Sequence, residues 1–99
     1  PGFIPSRPSV FMDIESARAR EGWTVQLIAG NREQTVLGLM DQYDSISGIL
    51  YTHTQRQGQD WFIGFYGEFS SLEAARKAVE RLPQALQDQS PWVRQLRDF

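Results

Sequence analysis

The residues of this chain that could carry out a reaction are few and scattered. The single histidine, His53, lies between Thr52 and Thr54, and the nearest carboxylates in sequence, Asp44 and Asp60, show no ligand spacing with it. A metal site needs several converging ligands, so His53 reads as a solvated surface residue. The absence of cysteine removes thiol nucleophiles, thiolate metal sites and disulfides. No nucleophile elbow, phosphate-binding glycine loop or zinc motif is present. Asp41 and Asp44 sit at a helix end and Glu68 follows a strand. These are isolated acids, whereas glycoside hydrolysis needs two carboxylates facing each other across a sugar. Neither catalysis nor a metal or cofactor is therefore expected. What remains is the chemistry of recognition, carried by aromatics (Trp61, Phe62, Tyr66, Trp92) and by the amide of Gln26.

Those side chains must be positioned by a small number of elements. "PGFIPSRPS" holds three of the five prolines and reads as the end of a tether. A short helix is predicted between about Met12 and Arg20, with a thin apolar face of Phe11, Ile14 and Ala17 that must dock or fray. Residues 1–22 are accordingly expected to be linker and short helix, and residues 23–99 the domain. "WTVQLIAGN", from Trp23, alternates as a strand, and Val36, Leu39, Met40 and Tyr43 then recur at helical spacing, with Asn31 as the expected N-cap. "GILYTHTQ" is a second strand, "RQGQD" a hairpin turn and "WFIGFY" a third strand. Ser70 or Ser71 can cap the next helix, whose stripe is Leu72, Ala75, Val79 and Leu82; Pro83 ends or kinks it. "PWVRQL" closes the chain with a short strand.

The two strand–helix blocks overlay at an offset of 38 residues, Trp23 on Trp61, Val25 on Ile63 and Leu27 on Phe65. Two βαβ halves of this size imply an α+β fold, the ferredoxin-like or ribonucleoprotein-like βαββαβ arrangement. Its four-stranded antiparallel sheet carries two helices on one face, with an extra N-terminal helix possible. Period-two alternation places Val25, Leu27, Ile63 and Phe65 beneath the helices. Thr24, Gln26, Ile28, Phe62, Gly64 and Tyr66 then line the other face, with no ionised group at its middle. Such a face suits a neutral polar polymer: aromatics stack on sugar rings, the amide reads hydroxyl or acetamido groups, and Gly64 admits the ligand to the backbone. Packing of the Met12–Arg20 helix over Phe62 and Tyr66 is the plainer alternative. Trp61 and Trp92 each open a strand and could sit at a rim, although parity alone places Trp61 with the core.

Composition bounds the partner. One small domain is the expectation for 99 residues, and a hydrophobic fraction of 40% with 12% aromatics can fill a modest core. Ten basic against twelve acidic residues argue against a polyanion. No apolar run approaches the roughly 20 residues that span a bilayer, and the first nine residues lack the pattern of a signal peptide.

"WTVQLIAGN" followed by an amphipathic helix resembles the opening of a SPOR domain, whose first strand reads aromatic-x-Val-Gln-apolar before a small-residue turn. "WFIGFYGEFSSLEAARKAVERLP" is similar to that family's second half. The resemblance runs from about Trp23 to Leu96, and the tail through "QDQSPWVRQLR" looks like the branch of inner-membrane cell-division proteins that end in such a domain. It implies a bacterial periplasmic module that binds septal peptidoglycan glycan strands stripped of stem peptides, with other division proteins as further partners. It also implies that Gln26, Trp61 and Trp92 belong to the glycan-binding surface. Ala29 departs from that branch, which places a serine important for binding there. The missing hydroxyl is worth about 1 kcal/mol, so affinity is expected to be lower or Asn31 to supply the contact.

Two other classes compete. The same sheet with exposed aromatics stacks bases in ribonucleoprotein domains, but Thr24 to Ile28 lacks the aromatic platform and the third strand lacks the basic-glycine-aromatic signature. A ferredoxin-like domain that uses its sheet to bind protein is the third reading.

Overall fold

Local sequence signals account for where most elements begin. The computed structural model describes residues 2–99. Asp13 caps α1 (Ile14–Arg18) by accepting from the Ser16 backbone N–H at 3.1 Å. Strand β1 (Trp23–Gly30) leads into α2 (Glu33–Gln42), which buries Val36, Leu37, Leu39 and Met40. The residue at the N-cap position is Arg32, in extended conformation and without a side-chain cap, so Asn31 does not play that role. Strands β2 (Ile49–Arg56) and β3 (Gln59–Phe69) form a hairpin through Gln57 and Gly58, both with positive φ, as a tight two-residue turn of this hand requires. Ser71, not Ser70, caps α3 (Leu72–Glu80), accepting from Ala74 N–H at 3.0 Å. Pro83 starts the short α4 (Gln84–Gln87), and β4 (Trp92–Gln95) ends in a 3-10 turn over Leu96–Asp98.

The strands make one antiparallel sheet in the order β2-β3-β1-β4, the expected ferredoxin-like topology. Directly opposed residues of antiparallel neighbours share a face, so the register decides which side each one occupies. Val25 opposes Tyr66, Ile28 opposes Gly64, and Gly64 opposes Tyr51. That face packs under α2, α3 and α4 in the larger core cluster, with Val36, Leu39, Ala75, Leu82 and Leu86. Gln26 opposes Phe65 and Ala29 opposes Ile63, on the other side.

These pairings overturn the face assignment of the third strand. Phe62, Gly64 and Tyr66 lie beneath the helices, while Ile63 and Phe65 belong to a second cluster with Ala17, Leu96 and Phe99. A Cβ on Gly64 would come within 3.0 Å of both Ile28 Cγ2 and Val36 Cγ1, so this glycine admits a helix, not a ligand. The 38-residue overlay is thus out of phase by one face, since Val25 and Ile63 point to opposite sides. Ile28 moves to the helix side because the register shifts between Gln26 and Ile28, a β-bulge that inserts Leu27 into β1. A second shift lies opposite Thr24, where Gly67 has a φ of 77° and Thr24 Oγ1 donates to the Tyr66 and Gly67 carbonyls. Thr24 is fully buried by this role, not presented to a ligand.

The proline-rich start, read from the sequence as a tether, packs along β2 from Phe3 onward. Phe3 stacks on His53 with ring centroids 4.5 Å apart and meets Phe62 edge-on at 5.2 Å. His53 Nε2 also lies 2.8 Å from Asp60 Oδ1, so this histidine is a packed and paired residue, not a solvated one. Ser6 donates from its backbone N–H and its hydroxyl to Glu33, and Arg7 pairs with Asp41 at 2.8 Å. Buried Tyr51 donates to the same Glu33 carboxylate at 2.6 Å.

This clamp has a pH signature. Burial pushes the Glu33 carboxyl up, but the hydrogen bonds from Tyr51 and Ser6 outweigh it and hold the group below its ordinary value. Burial and the same bond push the Tyr51 phenol up to about 12. Hydrogen bonds from Ser16 and Arg7 hold Asp13 and Asp41 low as well. A carboxylate depressed by folding stabilises the fold above its unfolded pKa and loses that contribution as the pH falls through its folded one. Thermal stability should therefore stay level from neutrality to about pH 5 and decline below it. In Tyr51→Phe, stability at neutral pH should drop by about 1 kcal/mol and the acid decline should be shallower. Circular dichroism melts across pH check this, and an acid limb unchanged in the variant would contradict the clamp.

Candidate functional site

The sheet face opposite the three later helices is partly covered. Helix α1, the Leu96–Asp98 turn and Phe99 lie over Ile63 and Phe65, with the Phe65 and Phe99 rings edge-on at 5.1 Å. The covering is apolar and stops short of the sheet corner where the β2–β3 hairpin approaches β4. There a groove of about 280 Å³ opens, and Trp61, Trp92, Arg18, Arg56, Arg94 and Phe99 are among the residues that line it.

Register explains how distant residues reach this corner. Gln26 opposes Trp92 across β1 and β4, and Trp61 opposes Thr54 across β3 and β2. Gln26, Ala29, Trp61 and Trp92, four of the residues singled out in the sequence, therefore share one face. Trp92 is 55% exposed, one of two large apolar side chains so open among the described residues, while Trp61 is half-buried against the Ile63 and Phe65 cluster. Both possibilities weighed for Trp61 are thus realised in part: its body packs in the core layer and its remainder lines the groove. Asn31 is exposed in the bend after β1, beyond the strand. Ile28, Phe62 and Tyr66, also expected at the site, are on the helix side and do not reach it.

The sequence reading missed the charge of this face. Instead of a centre without ionised groups, the structure places Arg94 on this face beside Trp92 and Phe99. Its Nη1 donates to Gln26 Oε1 at 2.8 Å, its Nη2 donates to the Asp98 carbonyl, and its Nε is buried without a partner. Burial pulls this guanidinium down from its ordinary value, opposed by Asp98. The Arg94 guanidinium lies 4.1 Å from the Trp92 ring centroid and 5.0 Å from that of Phe99. Arg56 lies 4.8 Å from the Trp61 ring. Arg18 donates through Nε to the Phe99 main-chain oxygen at 2.9 Å and so ties α1 to the groove wall. Each tryptophan is thereby braced by a guanidinium, an arrangement worth about 0.5–1 kcal/mol at exposed sites such as these. The Trp92-x-Arg94 spacing carried the signal, since residues two apart on a strand share a face.

Chemically, this groove can stack planar or apolar ring faces, donate hydrogen bonds, and attract negative charge. No side-chain carboxylate lines it, and among the described residues no cluster of three histidine, cysteine or acidic side chains could hold a metal. Among these residues no helix is long and apolar enough to cross a membrane.

Comparison with known proteins places these features in a family context. The family model of the SPOR domain matches residues 19–95, from just before β1 to the end of β4. The match takes in Gln26, Arg56, Trp61, Trp92 and Arg94 and leaves out Arg18 and Phe99. Among curated proteins, the cell division protein DamX of Serratia marcescens is 31% identical over 72 residues, which are 73% of this chain and 33% of that protein. The chain thus spans about a third of that relative's length.

Proposed function

Because the chain belongs to the SPOR domain family, we propose that it is a non-catalytic module that binds peptidoglycan. Its ligand is the septal glycan strand lacking stem peptides, and binding brings the parent protein to the division site. The observation that carries this reading is the pairing of Trp61 and Trp92 on one groove, with the Gln26 amide held beside them by Arg94. Sugar rings have apolar faces that stack on indoles, and a fixed amide reads hydroxyl and acetamido groups at low entropic cost. With Gln26 Oε1 engaged by Arg94, the amide nitrogen is left as a donor to the ligand. A groove of about 280 Å³ is small for a site that encloses a whole ligand. It suits a few sugars of a longer strand.

Two features support binding without chemistry. Among the described residues no side-chain carboxylate lines the groove to act as acid, base or nucleophile on a glycoside, and the one histidine is packed beneath Phe3 on the opposite face. The setting that fits such a ligand is the periplasm, with attachment to the inner membrane through a segment outside these residues.

A pull-down on purified sacculi tests the reading. Retention should be high on sacculi treated with an amidase that removes stem peptides and low on untreated ones. Equal retention on both, or none on either, would sink it.

One observation favours a second reading. Three guanidiniums beside two indoles make a locally positive, aromatic surface of the kind that binds single-stranded nucleic acid. The overall charge of −2 and the missing aromatic platform on β1 weigh against it. In a gel shift at low salt, where electrostatic affinity is greatest, no RNA complex should form; a complex lost in Arg56→Gln would favour RNA instead.

A further inference from the structure

The groove is cationic in a protein of net negative charge, and that contrast bears on what it recognises. We propose that Arg56 and Arg18, with Arg94 behind them, bind the carboxylate that loss of the stem peptide exposes on the lactyl ether of each muramic acid. This rests on the glycan reading above and gives it a chemical basis for discrimination.

The argument begins from converging charge. Arg7 and Arg20, elsewhere on the surface, have acidic partners in Asp41 and Glu68, whereas among the described residues Arg32, Arg76 and Arg81 stand without one, like Arg18, Arg56 and Arg94. What sets the last three apart is that they line one groove into which no side-chain carboxylate enters. Arg94 donates to two neutral acceptors, the Gln26 amide oxygen and the Asp98 carbonyl, and feels the Asp98 carboxylate only through space, with no ion pair between them. Its Nε is buried with no partner at all. Arg56 is exposed, lines the groove and rests on Trp61, held there by stacking and not by an ion pair. Guanidiniums arranged in this way meet a carboxylate with charge-assisted, often bidentate hydrogen bonds.

The ligand's chemistry supplies the matching change. In an intact strand, the lactyl carbonyl is joined to the first nitrogen of the stem peptide as a neutral amide. Hydrolysis breaks that C–N bond; the oxygen of water adds to the carbonyl carbon and the nitrogen takes up a proton. A neutral acyl group becomes a carboxylate attached to the sugar ring. A sugar stacked on Trp61 or Trp92 holds its substituents close to the guanidinium that braces the same indole, at 4.8 or 4.1 Å from the ring centre. The groove would then distinguish stripped from intact strands by charge at the first atom that differs, in addition to any exclusion of peptide bulk.

Three oligosaccharides of equal length separate these contributions by calorimetry. The first alternates N-acetylglucosamine with N-acetylmuramic acid bearing free lactyl acids. The second is the same molecule with each acid capped as a methylamide, which removes the charge and adds almost no bulk. The third is a chitin oligosaccharide, with no lactyl group. The free acid should bind roughly tenfold tighter than the methylamide at low salt, the scale of one or two charge-assisted hydrogen bonds. The gap should narrow as salt is raised. It should close in the double variant Arg18→Gln, Arg56→Gln, with a thermal melt to show that loss of the Arg18 bond to Phe99 leaves the variant folded, and it should narrow in Arg56→Gln alone. Equal affinity of the parent chain for the acid and the methylamide would overturn the charge assignment while leaving glycan binding in place. A gap that persists in the double variant would overturn the role of these arginines. No binding to any of the three would overturn both this inference and the proposed function.

Discussion

Trp92→Ala should bind stripped glycan about thirtyfold more weakly than the parent, a loss of roughly 2 kcal/mol, the usual cost of truncating an aromatic anchor. Its melting temperature should barely change. The separation of the two effects follows from where the ring sits. Trp92 is 55% exposed on β4, the edge strand beside β1, and its backbone pairing with Gln26 does not depend on the side chain. Exposed substitutions away from caps, turns and buried networks usually shift stability by less than about 0.5 kcal/mol. The indole is nevertheless fixed, because Arg94 lies against it at 4.1 Å and is itself pinned to Gln26 and the Asp98 carbonyl. A rigid, exposed aromatic gives up little conformational entropy when a sugar stacks on it. Trp61→Ala is a less informative experiment, since that ring also packs on the Ile63 and Phe65 cluster and its loss would lower stability as well. Calorimetry with the free-acid oligosaccharide, paired with a thermal melt, reads both quantities; a folded Trp92→Ala protein that binds like the parent would place the site elsewhere.

Gly64→Val should destabilise the fold by about 1–3 kcal/mol through overpacking, with glycan affinity unchanged in the fraction that remains folded. The reason lies in the close approach of β1 and α2 to this position. Even a methyl at Gly64 would press on Ile28 Cγ2 and Val36 Cγ1, both at 3.0 Å, and the two further methyls of valine have no space under the helix. Val36 is fully buried, so it has no solvent side into which to retreat. The same substitution separates the two possible faces of β3. On a ligand face, a valine here would obstruct the groove and leave stability nearly untouched. Urea denaturation decides between them: an unchanged midpoint together with weakened binding would reverse the face assignment.

Much of the fold was legible in the residues themselves. Helical spacing of Val36, Leu39 and Met40 marked α2, the serines before Leu72 marked the start of α3, and the polar glycine turn marked the hairpin. Each of these signals is local, because caps, turns and amphipathic periods act over a few residues. The corner of the molecule that forms the candidate groove was legible in part. Gln26, Trp61 and Trp92 were singled out and do share one face, but Phe62, Tyr66 and Ile28 were assigned to the wrong side and the arginines were passed over.

The cause of the misplacement is physical. Alternation reveals the face of a strand only when one side is wet. Here β3 reads Trp61, Phe62, Ile63, Gly64, Phe65, Tyr66, apolar on both sides, because helices cover one face and α1 with Phe99 covers much of the other. In β1 the bulge at Leu27 breaks parity after Gln26, and nothing in the order of residues shows that two consecutive side chains face the same core. The arginines were hidden for a related reason: Arg18, Arg56 and Arg94 come from α1, the hairpin and β4, and only the packed chain brings them to one groove.

The sequence alone therefore determined the order of the strands and the main helices, the topology and which aromatics open the strands, since these depend on interactions within a strand, a turn or a helix. Which face those residues occupy, and that the face is cationic, was decided by tertiary structure. Strand register, a single inserted residue and the docking of both chain ends are properties of long-range pairing, and a residue-by-residue pattern has no access to them.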